Sequence, residues 1–156
     1  MATRIHFIET SAQQQPLVLC RWVEYCRRQG EWVQIVTASA LSAQHLDQLL
    51  WTFSDLSFVP HRVLAAGALP DPFEPVAITV EARHLEGFTT LACDTARALD
   101  FLMGFRQVLH FVVMDDPARR QASRLLYQQA REAEMDLRHL AQTANLPPRI
   151  QSMGEP

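Results

Sequence analysis

The chain of 156 residues contains no lysine, so all 14 of its basic residues are arginines. This absence excludes mechanisms that need a lysine amine, such as Schiff-base catalysis and the phosphate-binding lysine of a P-loop. Glycine is also scarce, with five in the chain, and neither GxGxxG nor GxxxxGK occurs. The sequence therefore lacks the usual fingerprints of a nucleotide-binding domain.

Cysteine is limited to Cys20, Cys26 and Cys93, an odd number without CxxC spacing. Cys20 and Cys26 lie in an apolar, helix-like segment, and we interpret them as reduced core residues in a reducing compartment. The opening MATRIHFIET has no apolar run of signal-peptide length, and no segment approaches ~18 consecutive apolar residues. The net charge of −3 disfavours strong direct DNA binding. We expect a soluble, cytoplasmic protein with no membrane contact.

Alternating strand and helix patterns predict an α/β fold. The pattern indicates a layered, largely parallel or mixed sheet flanked by helices, with Rossmann-like topology but without a nucleotide-binding motif. Strands are predicted over residues 4–9, 32–37, 76–80, 89–93 and 106–113, and helices over 17–29, 42–51 and about 117–140. We predict one domain over 1–140 and a disordered tail over 141–156.

Residues 46–61, with the sequence LDQLLWTFSDLSFVPH, combine a leucine-rich helix with an aromatic cluster. Trp51, Phe53 and Phe58 lie within eight residues, and Pro60 requires a turn or an extended exit because proline lacks the N–H of a continuing helix. Such a cluster is either covered by the protein's own core or left exposed as a docking surface. The sequence alone leaves both open.

The last predicted helix carries two stripes of opposite character. At 100° per residue the apolar stripe should face the sheet, and it consists of Ala122, Leu126, Ala133, Leu137 and Leu140. The opposite stripe consists of Arg120, Arg124, Tyr127 and Arg131. Arginines alone are usually a solvated face, but an aromatic ring between guanidinium groups also suits a carboxylate next to an aromatic group, as at a peptide C-terminus.

Catalytic patterns are sparse. The six histidines show no HExxH or paired ligand spacing, and His110, in a predicted strand, is interpreted as a core or edge residue. Asp115 and Asp116 precede Pro117 and are interpreted as helix caps. Asp94 follows a strand and suits either the carboxyl edge of a sheet or a loop cap. We predict no catalytic residue, no metal and no cofactor.

Several segments together resemble the chi subunit of bacterial DNA polymerase III. The likeness is carried by Leu46-Asp47-x-x-Leu50-Trp51 followed by SFVPH, by the helix ending in RQG before WVQIVT, and by the strand–Asp-Asp–helix unit after residue 106. It extends to about residue 140. The resemblance implies a non-catalytic accessory subunit of the clamp-loader assembly, with an α/β fold that binds no nucleotide.

The resemblance also implies two partners. One is the psi subunit, which links chi to the clamp loader and is contacted through positions that match Trp51 and Phe58. The other is the acidic C-terminal tail of single-strand DNA-binding protein (SSB), which ends in phenylalanine. Its binding residues match the set Val112, Arg120, Arg124 and Tyr127, extended here by Arg131.

That match requires this chain to carry one more residue near 116–119 than the family does. Without that extra residue, Ser123 and Leu126 would fall at the family's binding positions. The family's helix often carries a tyrosine and a glycine where this chain has Ala130 and Glu134, so we expect a longer helix here.

Other hypotheses remain open at this stage. The aromatic segment could serve a repair helicase instead of psi. The chain could also be a small α/β enzyme or nucleotide-binding domain with degenerate motifs.

Overall fold

A seven-stranded parallel sheet runs through the described part of the chain, residues 2–56 and 58–148 of a computed structural model. Its strands are β1 (Arg4–Thr10), β2 (Val33–Val36), β3 (His61–Val63), β4 (Val76–Thr79), β5 (Thr90–Cys93), β6 (Gln107–Val113) and β7 (Asp136–Leu140). Its helices are α1 (Gln15–Arg28), α2 (Ala40–Thr52), α3 (Leu99–Leu102) and α4 (Pro117–Glu132). The strand order is β3-β4-β2-β5-β6-β1-β7.

The helices cover both faces of the sheet. One apolar cluster joins α1 and α2 to Ile8 and Ile35, and a second joins α3 and α4 to Phe7 and Val108. Adjacent strand residues such as Phe7 and Ile8 thus enter opposite clusters, as the period-two geometry of a strand requires. The predicted α/β fold, a layered sheet with flanking helices, is confirmed.

Most predicted elements occur within one or two residues of their expected bounds. Two short elements have no predicted counterpart: β3, which follows Pro60 directly, and α3, which has four residues. α1 shows the predicted signals, with Pro16 in its first turn and Gly30 after its last turn at φ 81°. None of the helices in 2–56 and 58–148 is long and apolar enough to cross a bilayer.

The prediction of a helix reaching residue 140 is wrong. α4 ends at Glu132, and residues 136–140 form the edge strand β7. The helix is stopped by Glu134, whose φ of 55° lies in the left-handed region. The N–H of Glu134 donates to Arg131 O at 3.0 Å and that of Met135 to Ala130 O at 3.1 Å, the bonding pattern of a Schellman cap. Position 134, where the family that the chain resembles often has glycine, therefore still terminates the helix.

The predicted apolar stripe of this helix is wrong for the same reason. Leu137 and Leu140 belong to β7 and not to α4. Because the predicted stripe includes them, it assigns the wrong face of the helix to the sheet. The face of α4 that packs on the sheet consists of Ser123, Leu126 and Ala130, whereas Ala122 is exposed. At 100° per residue, the arginine–tyrosine stripe lies roughly 90° from this face, along the flank of the helix.

The first part of the segment 141–156 contacts the domain. Residues Gln142–Ala144 form a 3₁₀ turn, and Asn145 is buried. The Trp22 indole N–H donates to Asn145 O at 2.7 Å, and the Asn145 amide donates to Glu9 O at 3.0 Å. The remainder of the predicted tail, 149–156, lies outside the described residues.

We predict that Glu134→Gly stabilises the protein. A left-handed conformation costs an L-residue roughly 1–2 kcal/mol, whereas glycine adopts it freely, although glycine also raises the entropy of the unfolded chain. Urea denaturation should show a free energy of unfolding about 1 kcal/mol higher. The control Glu132→Gly, inside the last helical turn, should lower it by about 1 kcal/mol. A destabilised Glu134→Gly protein would contradict this account of the helix end.

Candidate protein-binding sites

The start of α4 is set by its sequence. Asp116 is the N-cap, and its carboxylate accepts the N–H of Arg119 at 3.2 Å, with Pro117 in the first turn. Asp115 instead accepts the N–H of Ala12 at 2.8 Å, which joins the loop after β6 to the loop after β1. These bonds fix the direction in which α4 crosses the sheet.

A cavity of about 250 Å³ opens between the flank of α4 and the ends of β1, β6 and β7. It is open to solvent and is lined by side chains from four elements. The lining residues are Phe7, Glu9, Val112, Met114, Arg120, Ser123, Arg124, Tyr127 and His139. We call this the α4 cavity.

Phe7 and Val112 contribute apolar surface from the sheet to the α4 cavity. Phe7 is 2% exposed, and the Tyr127 ring packs edge-on against it with 5.0 Å between ring centroids. Tyr127 itself is 39% exposed. An aromatic ligand entering here would therefore meet an existing aromatic pair. Aromatic rings pack favourably against one another in edge-to-face or offset-stacked arrangements.

Beneath the cavity, a buried polar pair joins the sheet to α4. His110 Nε2 lies 2.8 Å from Ser123 Oγ, and both residues are buried. Burial, with a smaller contribution from the Arg119 guanidinium, lowers the pKa of His110 to about 4. His110 is therefore a neutral core histidine near pH 7, as the sequence interpretation proposed.

Charged groups line two sides of the α4 cavity. Arg120 and Arg124 project from α4, one turn apart on the helix. On the other side, Glu9 of β1 and His139 of β7 form a pair with 2.6 Å between Oε2 and Nε2. The arginine side can bind a carboxylate through paired N–H donors.

The structure brings four of the five residues proposed for tail binding into the α4 cavity: Val112, Arg120, Arg124 and Tyr127. Arg131 is exposed one turn farther along α4 and does not line it. Ser123 and Leu126, the positions required without the extra residue, face the sheet and are 4% and 3% exposed. Their burial agrees with the register that includes the extra residue.

Sequence reasoning missed the cavity residues contributed by β1 and β7, chiefly Phe7, Glu9 and His139. Phe7 and Glu9 were recognised only as strand residues. His139 was assigned to a helix. Only the parallel register, which pairs Phe7 with both His110 and His139, brings these side chains together.

The aromatic segment after α2 is exposed. Trp51 is 47% exposed and Phe58 is 74% exposed, with 5.6 Å between their ring centroids. Leu56, 95% exposed, lies between them in sequence. Three large apolar side chains thus reach solvent within eight residues, which is typical of a docking surface. We call Trp51, Leu56 and Phe58 the aromatic patch.

His61 supports this patch from beneath. It is buried, and its ring centroid lies 4.3 Å from that of Trp51. Nδ1 lies 2.6 Å from Val59 O, and Nε2 lies 3.1 Å from Asp47 Oδ1. These contacts tie the exit segment back to α2 and hold Trp51 at the surface.

The α4 cavity and the aromatic patch lie near opposite edges of the sheet. Trp51 contacts His61 of the edge strand β3, whereas His139 belongs to the other edge strand, β7. Six strand spacings of about 4.8 Å separate these edges by about 29 Å. The two sites are therefore separate surfaces of the protein.

The remaining candidate groups are buried. Asp94 follows β5 at the carboxyl edge of the sheet, and burial raises the pKa of its carboxyl. Burial also raises the pKa of Cys20 and Cys26 to about 12, so neither is a ready thiolate. Within the described residues, no group of three or more His, Cys, Asp or Glu side chains is placed to hold a metal ion.

Comparison with known proteins shows the family of the chain. Residues 2–138 match the model of the family described as DNA polymerase III chi subunit, HolC. The chain is also 34% identical over 107 residues to the DNA polymerase III subunit chi of Pseudomonas aeruginosa, an alignment that covers 69% of this chain and 72% of that protein. This chain belongs to the DNA polymerase III chi subunit family.

Proposed function

We propose that the protein is a non-catalytic accessory subunit of the DNA polymerase III holoenzyme. In this role it bridges the clamp loader, through psi, to the C-terminal tail of SSB during DNA replication. The observation that carries the proposal is the α4 cavity, which combines apolar surface with Arg120 and Arg124. Family membership supports the replication role, and the two partners are inferred from site chemistry and the family likeness.

The α4 cavity suits a terminal phenylalanine. An apolar cavity of about 150 Å³ can hold benzene, so about 250 Å³ leaves room for a phenyl ring and its carboxylate. The ring would lie against Phe7 and Tyr127, while the terminal carboxylate would accept N–H groups of Arg124 or Arg120. Acidic residues upstream in the tail would be attracted by the same arginines.

The expected affinity is moderate. A hydrogen bond to a charged group contributes about 1.5–3 kcal/mol, and burial of an aromatic side chain contributes about as much. With the upstream acidic residues, these contributions give binding in the micromolar range, weaker than a permanent complex. An interaction of this strength allows the tail to dissociate and rebind as the replication machinery moves.

The aromatic patch suits a protein partner of a different kind. Trp51, Leu56 and Phe58 offer apolar surface, and tryptophan is among the side chains that most often dominate binding energy at interfaces. Psi is the partner proposed here. A repair helicase is the second candidate, and the same surface would serve it.

For the first site, Arg124→Ala and Tyr127→Ala should each weaken binding of an acidic tail peptide that ends in phenylalanine by about tenfold or more. Arg124→Ala removes a carboxylate donor, and Tyr127→Ala removes an aromatic contact. Isothermal titration calorimetry measures both. The melting temperature should change little, because both side chains are exposed.

The matched control is Gln128→Ala, an exposed residue of α4 outside the cavity lining. Its peptide affinity should equal that of the unchanged protein. Equal peptide affinity in the unchanged protein, the two cavity variants and this control would show that the peptide binds elsewhere.

For the second site, Trp51→Ala and Phe58→Ala should release the clamp-loader assembly in a pull-down from cell extract while retaining tail-peptide affinity. The control is Leu41→Ala, which changes an exposed leucine ten residues earlier, about 15 Å along the same helix. Capture of the assembly by Trp51→Ala and Phe58→Ala at control levels would contradict the assignment. Loss of folding would show that Trp51 acts mainly in stability.

A further inference from the structure

The segment 40–86 accounts for the negative charge of the chain. It contains six carboxylate side chains and two arginines, a net charge of −4 in a chain whose total is −3. Arg62 Nη2 lies 2.7 Å from Glu74 Oε1, and Arg83 Nε lies 2.8 Å from Glu81 Oε1, so both arginines are paired within the segment. A charge asymmetry of this kind attracts a basic partner. The four other carboxylates are those of Asp47, Asp55, Asp71 and Glu86.

A largely apolar cavity of about 570 Å³ lies in the same segment, beside the edge strand β3. Its walls come from the start of α2 and from the ends of β3 and β4. We call this the β3 cavity. Its lining includes Ala40, Val63, Ala65 and Val80, all of which reach solvent, and the polar side chains Gln44 and Glu81.

One stripe of α2 joins the β3 cavity to the aromatic patch. Ala40, Gln44, Asp47 and Trp51 are spaced i, i+4, i+7 and i+11, so they lie within about 60° of one another around the helix. Ala40 and Gln44 line the cavity, whereas Trp51 belongs to the patch, about 17 Å farther along the helix. The Asp47 carboxylate, 31% exposed, lies between the two apolar surfaces. We call this stripe with the two surfaces at its ends the α2 seam.

A helix fits the α2 seam better than an added strand. β3 has three residues, so its outer edge offers few N–H and C=O groups for strand pairing. The small side chains of Ala40, Ala65 and Ala66 allow the backbone of a partner to approach closely. A helix of about three turns spans the seam and can place apolar side chains at both of its ends.

We propose that the α2 seam binds a basic amphipathic helix of a partner protein. The apolar stripe of that helix enters the β3 cavity and covers the aromatic patch, and its arginine or lysine side chains pair with Asp47 and Asp55. The helix belongs to the partner already proposed for the aromatic patch, so this inference rests on that proposed function. It adds the chemistry of the partner segment and a second contact surface, the β3 cavity.

Matched substitutions at Gln44 test the charge of the partner. Gln44 is exposed, and lysine and glutamate are helix formers of similar quality. Surface plasmon resonance measures the affinity of each variant for the purified clamp-loader assembly. Gln44→Lys should weaken binding about two- to fivefold, and Gln44→Glu should strengthen it by a similar factor. Gln128→Lys, the same change at an exposed position of α4, should leave the affinity unchanged.

Val63→Thr tests the β3 cavity. Threonine keeps the branched shape of valine in the strand but places a hydroxyl group in an apolar interface. Binding of the assembly should therefore weaken about fivefold. The apolar control is Leu41→Ala, because Leu41 lies about 90° from the stripe of the α2 seam around the helix, and its affinity should equal that of the unchanged protein.

The absence of lysine gives a direct way to locate the partner helix. A carbodiimide couples carboxylates to amines, and this chain contains no lysine. A carboxylate–lysine crosslink from it therefore marks a lysine of another subunit in the assembly. We expect crosslinks from Asp47 or Asp55 to a lysine whose neighbouring apolar residues recur every three or four positions. Crosslinks confined to carboxylates outside 40–86, or partner apolar residues that alternate every two positions, would overturn the inference.

The affinities separate this inference from the function on which it rests. Absence of binding by the unchanged protein, or full affinity of Trp51→Ala, overturns the proposed role of the aromatic patch. Weakened binding by Trp51→Ala with full affinity of Gln44→Lys and Val63→Thr overturns the α2 seam alone. Equal weakening by Gln44→Lys and Gln44→Glu overturns the basic character of the partner helix.

Discussion

Parallel strands must be covered on both faces, and this constraint determines where both candidate sites lie. α1 and α2 cover one face, so the aromatic patch, which follows α2, emerges near the β3 edge. α4 covers the other face and leaves the α4 cavity between its flank and β7. The positions of the two candidate sites therefore follow from the crossover pattern of the sheet. The sheet sets the separation of the two sites at about 29 Å.

The helix end at Glu134 has a functional consequence. If α4 continued to residue 140, β7 would not form, and the cavity would lose His139 and its open side next to β1. The left-handed Glu134 turns the chain back so that β7 pairs with β1 in parallel. The buried His110–Ser123 contact fixes the rotation of α4 about its axis, which turns the arginine–tyrosine flank toward the cavity. The cavity thus depends on one helix cap and one buried polar contact.

The sequence predicted the layered fold and most element bounds because several local signals are strong. These are the period-two strands, Pro16 and Gly30 at the two ends of α1, and Asp116–Pro117 at the start of α4. It failed where a local signal was absent. Glu134 is a poor residue for a left-handed turn, so the helix appeared to continue, and its apolar face was misplaced. Arg124, which the helical stripe indicated, and Val112, which only the family likeness supplied, both lie in the cavity. Those that depend on strand pairing, such as His139, could not be predicted from one chain.

We propose that the protein has two independent binding surfaces, one of them the α4 cavity. The most direct measurement is a two-dimensional ¹H–¹⁵N NMR titration of the labelled protein with the tail peptide. We expect shift changes at Val112, along α4 and in β7, with the indole signal of Trp51 unchanged. Shift changes centred on residues 46–61, with none at Tyr127, would contradict it.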